Sequence, residues 1–199
     1  MLTFIIVCSL EPTLSLRMVD YELSQTYVGC VFAIQPGVYM IGTLIVPYVV
    51  PKWVEVRVTL MTSAFCLGFF FLLTGPVFVE KNLFVMCLGL FISGNFLAPL
   101  IIPNMTEMMY VTNKNWPSCD FKLANSRLSG ILNCCYGAGG AIGPLMGASL
   151  YEQFGFRVQC DVTAITVMGF AVIYFMSCQG CEAYSTSYKK YKLQKRQKL

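Results

Sequence analysis

Apolar runs of about 20 residues recur along this chain, and nearly every charged side chain falls between them. Each run is long enough to cross a hydrocarbon core about 30 Å thick. Only helices and closed barrels satisfy their backbone groups in lipid. The runs are continuous rather than alternating, which selects helices. Charged residues make up 12 % of the chain, against about 25 % in an average soluble domain. The expectation is a multi-pass, all-α integral membrane protein.

Six spans are read, at about 1–19, 26–50, 58–79, 82–107, 126–150 and 158–178. They form one six-helix transmembrane bundle over 1–180, followed by a basic tail over 181–199. The connections collect the charges: Arg17, Asp20 and Glu22; Lys52, Glu55 and Arg57; Glu80 and Lys81; Lys114, Asp120, Lys122 and Arg127; Glu152 and Arg157. The tail "YKKYKLQKRQKL" is the densest basic cluster, so the positive-inside rule places it in the cytoplasm. The second and fourth connections then share that side, and each carries more bases than acids. A basic tail can also meet anionic lipid, and both readings stand. Nothing beside this short tail could read bases, so nucleic acid is not an expected partner.

No cleavable leader is read at the amino terminus. "MLTFIIVCSL" has no basic residue ahead of it, and Glu11–Pro12 follows without a small-residue cleavage site. The first span begins abruptly at Met1, which suggests a chain that starts within something larger. The absence of histidine and the single "CQGC" pair, Cys178 and Cys181, argue against a zinc site. Most of the ten cysteines lie inside apolar runs, where cysteine is a small apolar packing residue. Cys178 and Cys181 sit where a helix would leave the membrane, as acylation sites or as inert thiols. No paired intramembrane acids and no nucleotide-binding loop are visible, so an enzyme is not expected and no cofactor is implied.

Within the fifth span, "GILNCCYGAGGAIGPLMGAS" holds six glycines and a proline. Apolar burial gains little when helices associate in lipid, so close backbone approach matters more and small residues permit it. Gly139, Gly143 and Gly147 recur every four residues as one smooth strip, and Pro144 leaves the Gly140 carbonyl without its helical donor. In the first span, Glu11 is an acid at membrane depth, which is costly and by default functional. Pro12 beside it frees the Cys8 carbonyl. That pair of acceptors suits an ammonium or a proton; the alternative is an acid at a water-facing helix end. Phe32, Gln35 and Tyr39 share one face of the second span, and aromatic faces attract cations. The competing reading is a packing stripe. Asn95 and Asn133 are neutral polar residues inside spans, each needing a partner or a wet cavity.

These residues carry a family resemblance. Gly130, then eight residues to Gly139, three more to Gly143–Pro144 and two more to Gly147–Ala148 resembles the antiporter signature of the major facilitator superfamily. "LEPTLSL" (Leu10 to Leu16) and "YVG" (Tyr27 to Gly29) resemble the second half of the vesicular amine transporters, most closely the polyamine branch. The resemblance runs with gaps from about Leu10 to Phe156. It implies the carboxy-terminal six-helix half of a twelve-helix fold, with a missing amino-terminal half or a second copy as partner, in a secretory or synaptic-type vesicle membrane. It also implies a substrate-amine carboxylate at Glu11, site aromatics at Phe32, Tyr39 and Tyr136, and exchange of a cationic amine for protons. The chain departs from the monoamine carriers, whose acids fall near Ala98 and at Asn133. Its second connection, "VPYVVPKWVEVR", keeps only Lys52 of the superfamily's loop motif. Asp161 is read as interfacial. Asn104-Met105-Thr106 fits a glycosylation pattern but lies on the expected cytoplasmic side. A non-transporting membrane scaffold, or an inactive fragment, is the alternative from another class.

Overall fold

The computed structural model describes residues 1–19, 21, 24–53, 55–75 and 82–177, with the side chains of 51–53 left aside. The basic tail, Cys178 and Cys181, and the charges at Asp20, Glu22, Glu80 and Lys81 lie outside the described residues. Every regular element among the described residues is helical: α1 Leu2–Val19, α2 Gln25–Trp53, α3 Val56–Phe71, α4 Leu83–Ile101, α5 Pro103–Asn115 and α6 Phe121–Ser177. Four stretches are long and apolar enough to cross a membrane, at Leu2–Val19, Gln25–Val50, Leu83–Asn115 and Phe121–Ser177. The protein is an integral membrane protein.

Local chemistry explains these elements. The hydroxyls of α1 turn back onto their own helix: Ser9 Oγ donates to the Ile6 carbonyl at 2.9 Å, and Thr13 Oγ1 to the Ser9 carbonyl at 3.0 Å. No polar side chain of that pair then needs water. Asn82 caps α4, its Oδ1 accepting from the Phe84 N–H at 3.1 Å. Ile102 keeps helical angles (φ −63°, ψ −46°), so α4 and α5 run on as a 33-residue stretch past the expected end at 107. The third span is shorter than expected. Helix α3 has 16 residues, about 24 Å, and the chain then turns through Leu73 and Thr74, whose N–H groups donate to Phe70 and Phe71.

Helix α6 has 57 residues, about 86 Å if it were straight. It is not straight. Gly155 has φ 81° and ψ 172° and divides it into arms at 121–154 and 156–177. The backbone oxygen of Ser9 meets both arms. A Cβ on Gly147 would lie 2.4 Å from it, and Gln159 Nε2 donates to it at 3.1 Å. A straight helix would hold residues 147 and 159 about 18 Å apart, so the chain folds back at Gly155. The expected connection over 151–157 is thus one residue, because one glycine reverses the path. That region of φ/ψ is open essentially to glycine alone, and other residues cost about 1–3 kcal/mol there. Gly155→Ala should lower the free energy of unfolding in detergent by that amount, seen as a lower thermal midpoint. Gly130→Ala, with nothing within 4 Å of the added methyl, should leave the midpoint unchanged or slightly raised.

Glycines set the helix directions. Added methyls at Gly139, Gly143 and Gly147 would strike the backbone oxygens of Met1, Ile5 and Ser9 at 2.7, 2.9 and 2.4 Å. Both series step by four, so α1 and the first arm of α6 run parallel. Gly94 abuts Gln35 and Gly42 abuts Ala98, so α2 and α4 are also parallel. Gly68 meets Ala164 and Met168 while Gly75 meets Cys160, which makes α3 antiparallel to the second arm. The core between these helices holds Ile6, Leu10 and Leu14 with Leu67, Phe71, Met86, Leu90 and Ala164. Large apolar side chains such as Leu44, Phe84, Leu145 and Met176 cover the outside, as suits a surface facing lipid.

Candidate functional site

Two close helix seams aim the residues of interest at one another. The glycine ladder holds α1 by its Ser9 turn, and Glu11 follows two residues later. The approach of Gly94 to the Gln35 backbone fixes the turn of α2 that carries Phe32 and Gln35. Between the two seams lies a cavity of about 320 Å³ lined by Glu11, Phe32, Gln35, Pro36 and Leu90, with Val7, Leu10, Leu14 and Val31 as further apolar wall. Glu11 is exposed within this lining. Gln35 is only 7 % exposed, and its Nε2 is buried with no hydrogen-bond partner. By rotation that amide can turn either its oxygen or its nitrogen to the cavity. The wall therefore offers a carboxylate, a free amide and an aromatic face.

A second group gathers along the same seam. Tyr136 stacks on Phe4 with ring centroids 4.3 Å apart at 24°. Its hydroxyl is buried without a hydrogen bond of good geometry, while Asn104 and Tyr39 stand close enough to act on it electrostatically. Phe4 precedes Glu11 by seven residues, about 10 Å of helix. Tyr39 lies one turn beyond Gln35.

The other expected residues stand apart. Asn95 is exposed and donates to the Phe91 carbonyl of its own helix at 3.1 Å. Asn133 is exposed and does not line the cavity. Gly139, Gly143 and Gly147 are buried against α1, and Pro144 is half-buried beside them, but Gly130 stands clear of any neighbour. Asp161 meets Arg157 at 4.0 Å on its own helix.

Several residues escaped the sequence reading. Gln159 is fully buried and ties the second arm to Ser9; one glutamine in an apolar run gave no periodic signal. Arg57 pairs with Glu107 and lies 5.8 Å over the Tyr110 ring, joining the start of α3 to α5. Arg57, read from sequence only as a charge of the second connection, thus ties that connection to α5. A smaller cavity of about 250 Å³ beneath that pair is lined by Asn104, Glu107, Met108, Phe170 and Tyr174 among others. Asn104, which matched a glycosylation pattern, donates to the Leu100 carbonyl at 2.9 Å inside the bundle.

No family model matches the chain, and no solved structure matches it significantly. Among curated proteins it is 30 % identical over 161 residues to human (Homo sapiens) MFS-type transporter SLC18B1, a match covering 74 % of this chain and 33 % of that protein. The mouse (Mus musculus) protein of the same name matches at the same identity and coverage. The chain thus spans about a third of the length of the curated relatives it matches. The resemblance read from the glycine run and the first span is borne out by these matches. Over this shared stretch the chain is similar to MFS-type transporters.

Proposed function

We propose that this chain is the carboxy-terminal six-helix half of a transporter for a cationic organic amine of the polyamine kind. The observation that carries the reading is the shared cavity of Glu11, Phe32 and Gln35. Its walls are apolar, its acid is exposed to a ligand, and no lysine or arginine among the described residues lines it, so it favours cations over anions. The Tyr39–Tyr136 group, about 10 Å along α1, offers a second polar point for a long substrate. The fold-back at Gly155 and the joined α4–α5 stretch support six crossings that alternate in direction. In such folds substrate binds between two halves near the midplane, and the halves rock to alternate access. Glu11 would bind the ammonium as carboxylate and release it on taking a proton, which couples amine movement to proton exchange in vesicles.

Binding of a ligand to the folded state raises its apparent stability by about 2.7 kcal/mol at a hundred times Kd. Spermidine should therefore raise the melting temperature of the full chain in lipid nanodiscs, dose-dependently, and glutamate should not. A scaffold without a site would show no shift with either solute.

A further inference from the structure

The hairpin joining α5 to α6 takes no part in the cavity. The α4–α5 stretch of 33 residues is about 50 Å long, against a hydrocarbon core of about 30 Å. Its apolar part is α4, while α5, "PNMTEMMYVTNKN", is polar. The excess length therefore emerges at the α5 end, where the first arm of α6 begins. The tip between them is built rather than slack. The Trp116 N–H donates to the Thr112 carbonyl at 2.8 Å, and the Cys119 N–H to Trp116 at 3.2 Å. Asp120 Oδ1 accepts from the Lys122 N–H at 3.0 Å, which places this acid at the start of α6 as a cap.

This ordered tip bares three aromatic rings, Tyr110 at 58 % exposed, Trp116 at 64 % and Phe121 at 65 %. Beside them Lys114, Lys122 and Arg127 are exposed, and none of the three pairs with an acid among the described residues. Asp120 is the single acid between Met108 and Arg127. Bare rings do not suit bulk water, and unpaired cations do not suit hydrocarbon. The combination suits the headgroup layer, where aromatic rings collect and basic side chains meet anionic lipid.

We propose that the α5–α6 hairpin tip, through Lys114, Lys122 and Arg127 with Trp116 and Phe121, docks on anionic phospholipid headgroups of the bilayer that holds the protein. The three cations supply the phosphate attraction. The rings set the depth.

The test uses the full chain in nanodiscs of phosphatidylcholine, alone or with phosphatidylserine. The chain has two tryptophans, so Trp53→Phe leaves Trp116 as the sole reporter. Competition between brominated and plain lipids gives the relative binding constant of phosphatidylserine over phosphatidylcholine at Trp116. That constant should exceed unity and fall with added salt. In the triple variant Lys114→Gln/Lys122→Gln/Arg127→Gln it should drop by about fivefold or more, the equivalent of at least one surface charge. A constant of unity, or one that survives the triple substitution, overturns the proposal. So does a Trp116 that stays open to acrylamide in both lipids and is shielded only by added polyglutamate, since that assigns the tip to an acidic protein.

Discussion

Gly147→Ala is expected to destabilise the bundle by about 3 kcal/mol, the upper part of the usual range for overpacking. The added methyl would lie 2.4 Å from the Ser9 carbonyl oxygen and 2.9 Å from its Cα. Those are backbone atoms, so no side chain can swing aside; α1 itself has to move. Movement there also strains the Gln159 hydrogen bond to the same oxygen, so both arms of α6 lose their hold together. Gly140→Ala is the matched control, seven residues earlier in the same glycine run, with nothing within 4 Å of its new methyl. Thermal unfolding in detergent, followed by circular dichroism, should separate the two. Equal midpoints for both variants would show that the glycine ladder is not the seam described above.

Glu11→Gln is expected to cut amine uptake by about tenfold to a hundredfold when built into a polypeptide that supplies both halves. A hydrogen bond to a charged group is worth about 1.5–3 kcal/mol, and tenfold in rate or affinity corresponds to 1.36 kcal/mol. The substitution keeps shape and removes charge, so packing of α1 should survive. Uptake of spermidine into acidified vesicles is the measurement, with the variant's melting temperature in the absence of amine as its control. A variant of normal stability and normal uptake would remove Glu11 from the mechanism. One with normal stability but lost uptake and lost spermidine stabilisation would place the carboxylate at the bound cation.

The two effects are linked through one turn of α1. Gly147 positions Ser9, and Glu11 follows two residues on. A methyl at Gly147 should therefore weaken amine binding as well as stability, whereas Glu11→Gln should weaken binding alone. That asymmetry separates a residue that holds the helix from one that meets the ligand.

The membrane class, the helical character and the packing role of Gly139, Gly143 and Gly147 were legible from sequence alone. Lipid enforces each of them locally: backbone groups need partners within their own segment, and close helix approach needs small residues at a fixed period. Glu11 was picked out because an acid is costly at that depth, and it lines the cavity. The stripe of Phe32, Gln35 and Tyr39 was legible as a helix face, but not as parts of two groups. Gln35 and Phe32 line the cavity with Glu11, while Tyr39 belongs with Tyr136 and Asn104. Periodicity assigns residues to a face and says nothing about which neighbour covers each turn. Asn95 and Asn133 show the same limit, since both fall in apolar runs and both end up away from the cavity.

What the sequence by itself determined was the solvent for which this chain is built, its helical character, and the strip along which two helices could touch. Tertiary structure decided the rest: the reversal at a single glycine, the grip of Gln159 on Ser9, and the pairing of Arg57 with Glu107 across fifty residues. The physical reason is range. Hydropathy and small-residue spacing act within one helix and are written in consecutive residues. Partners such as Gln159 and Glu107 are selected by distance in space, after the helices have chosen their neighbours.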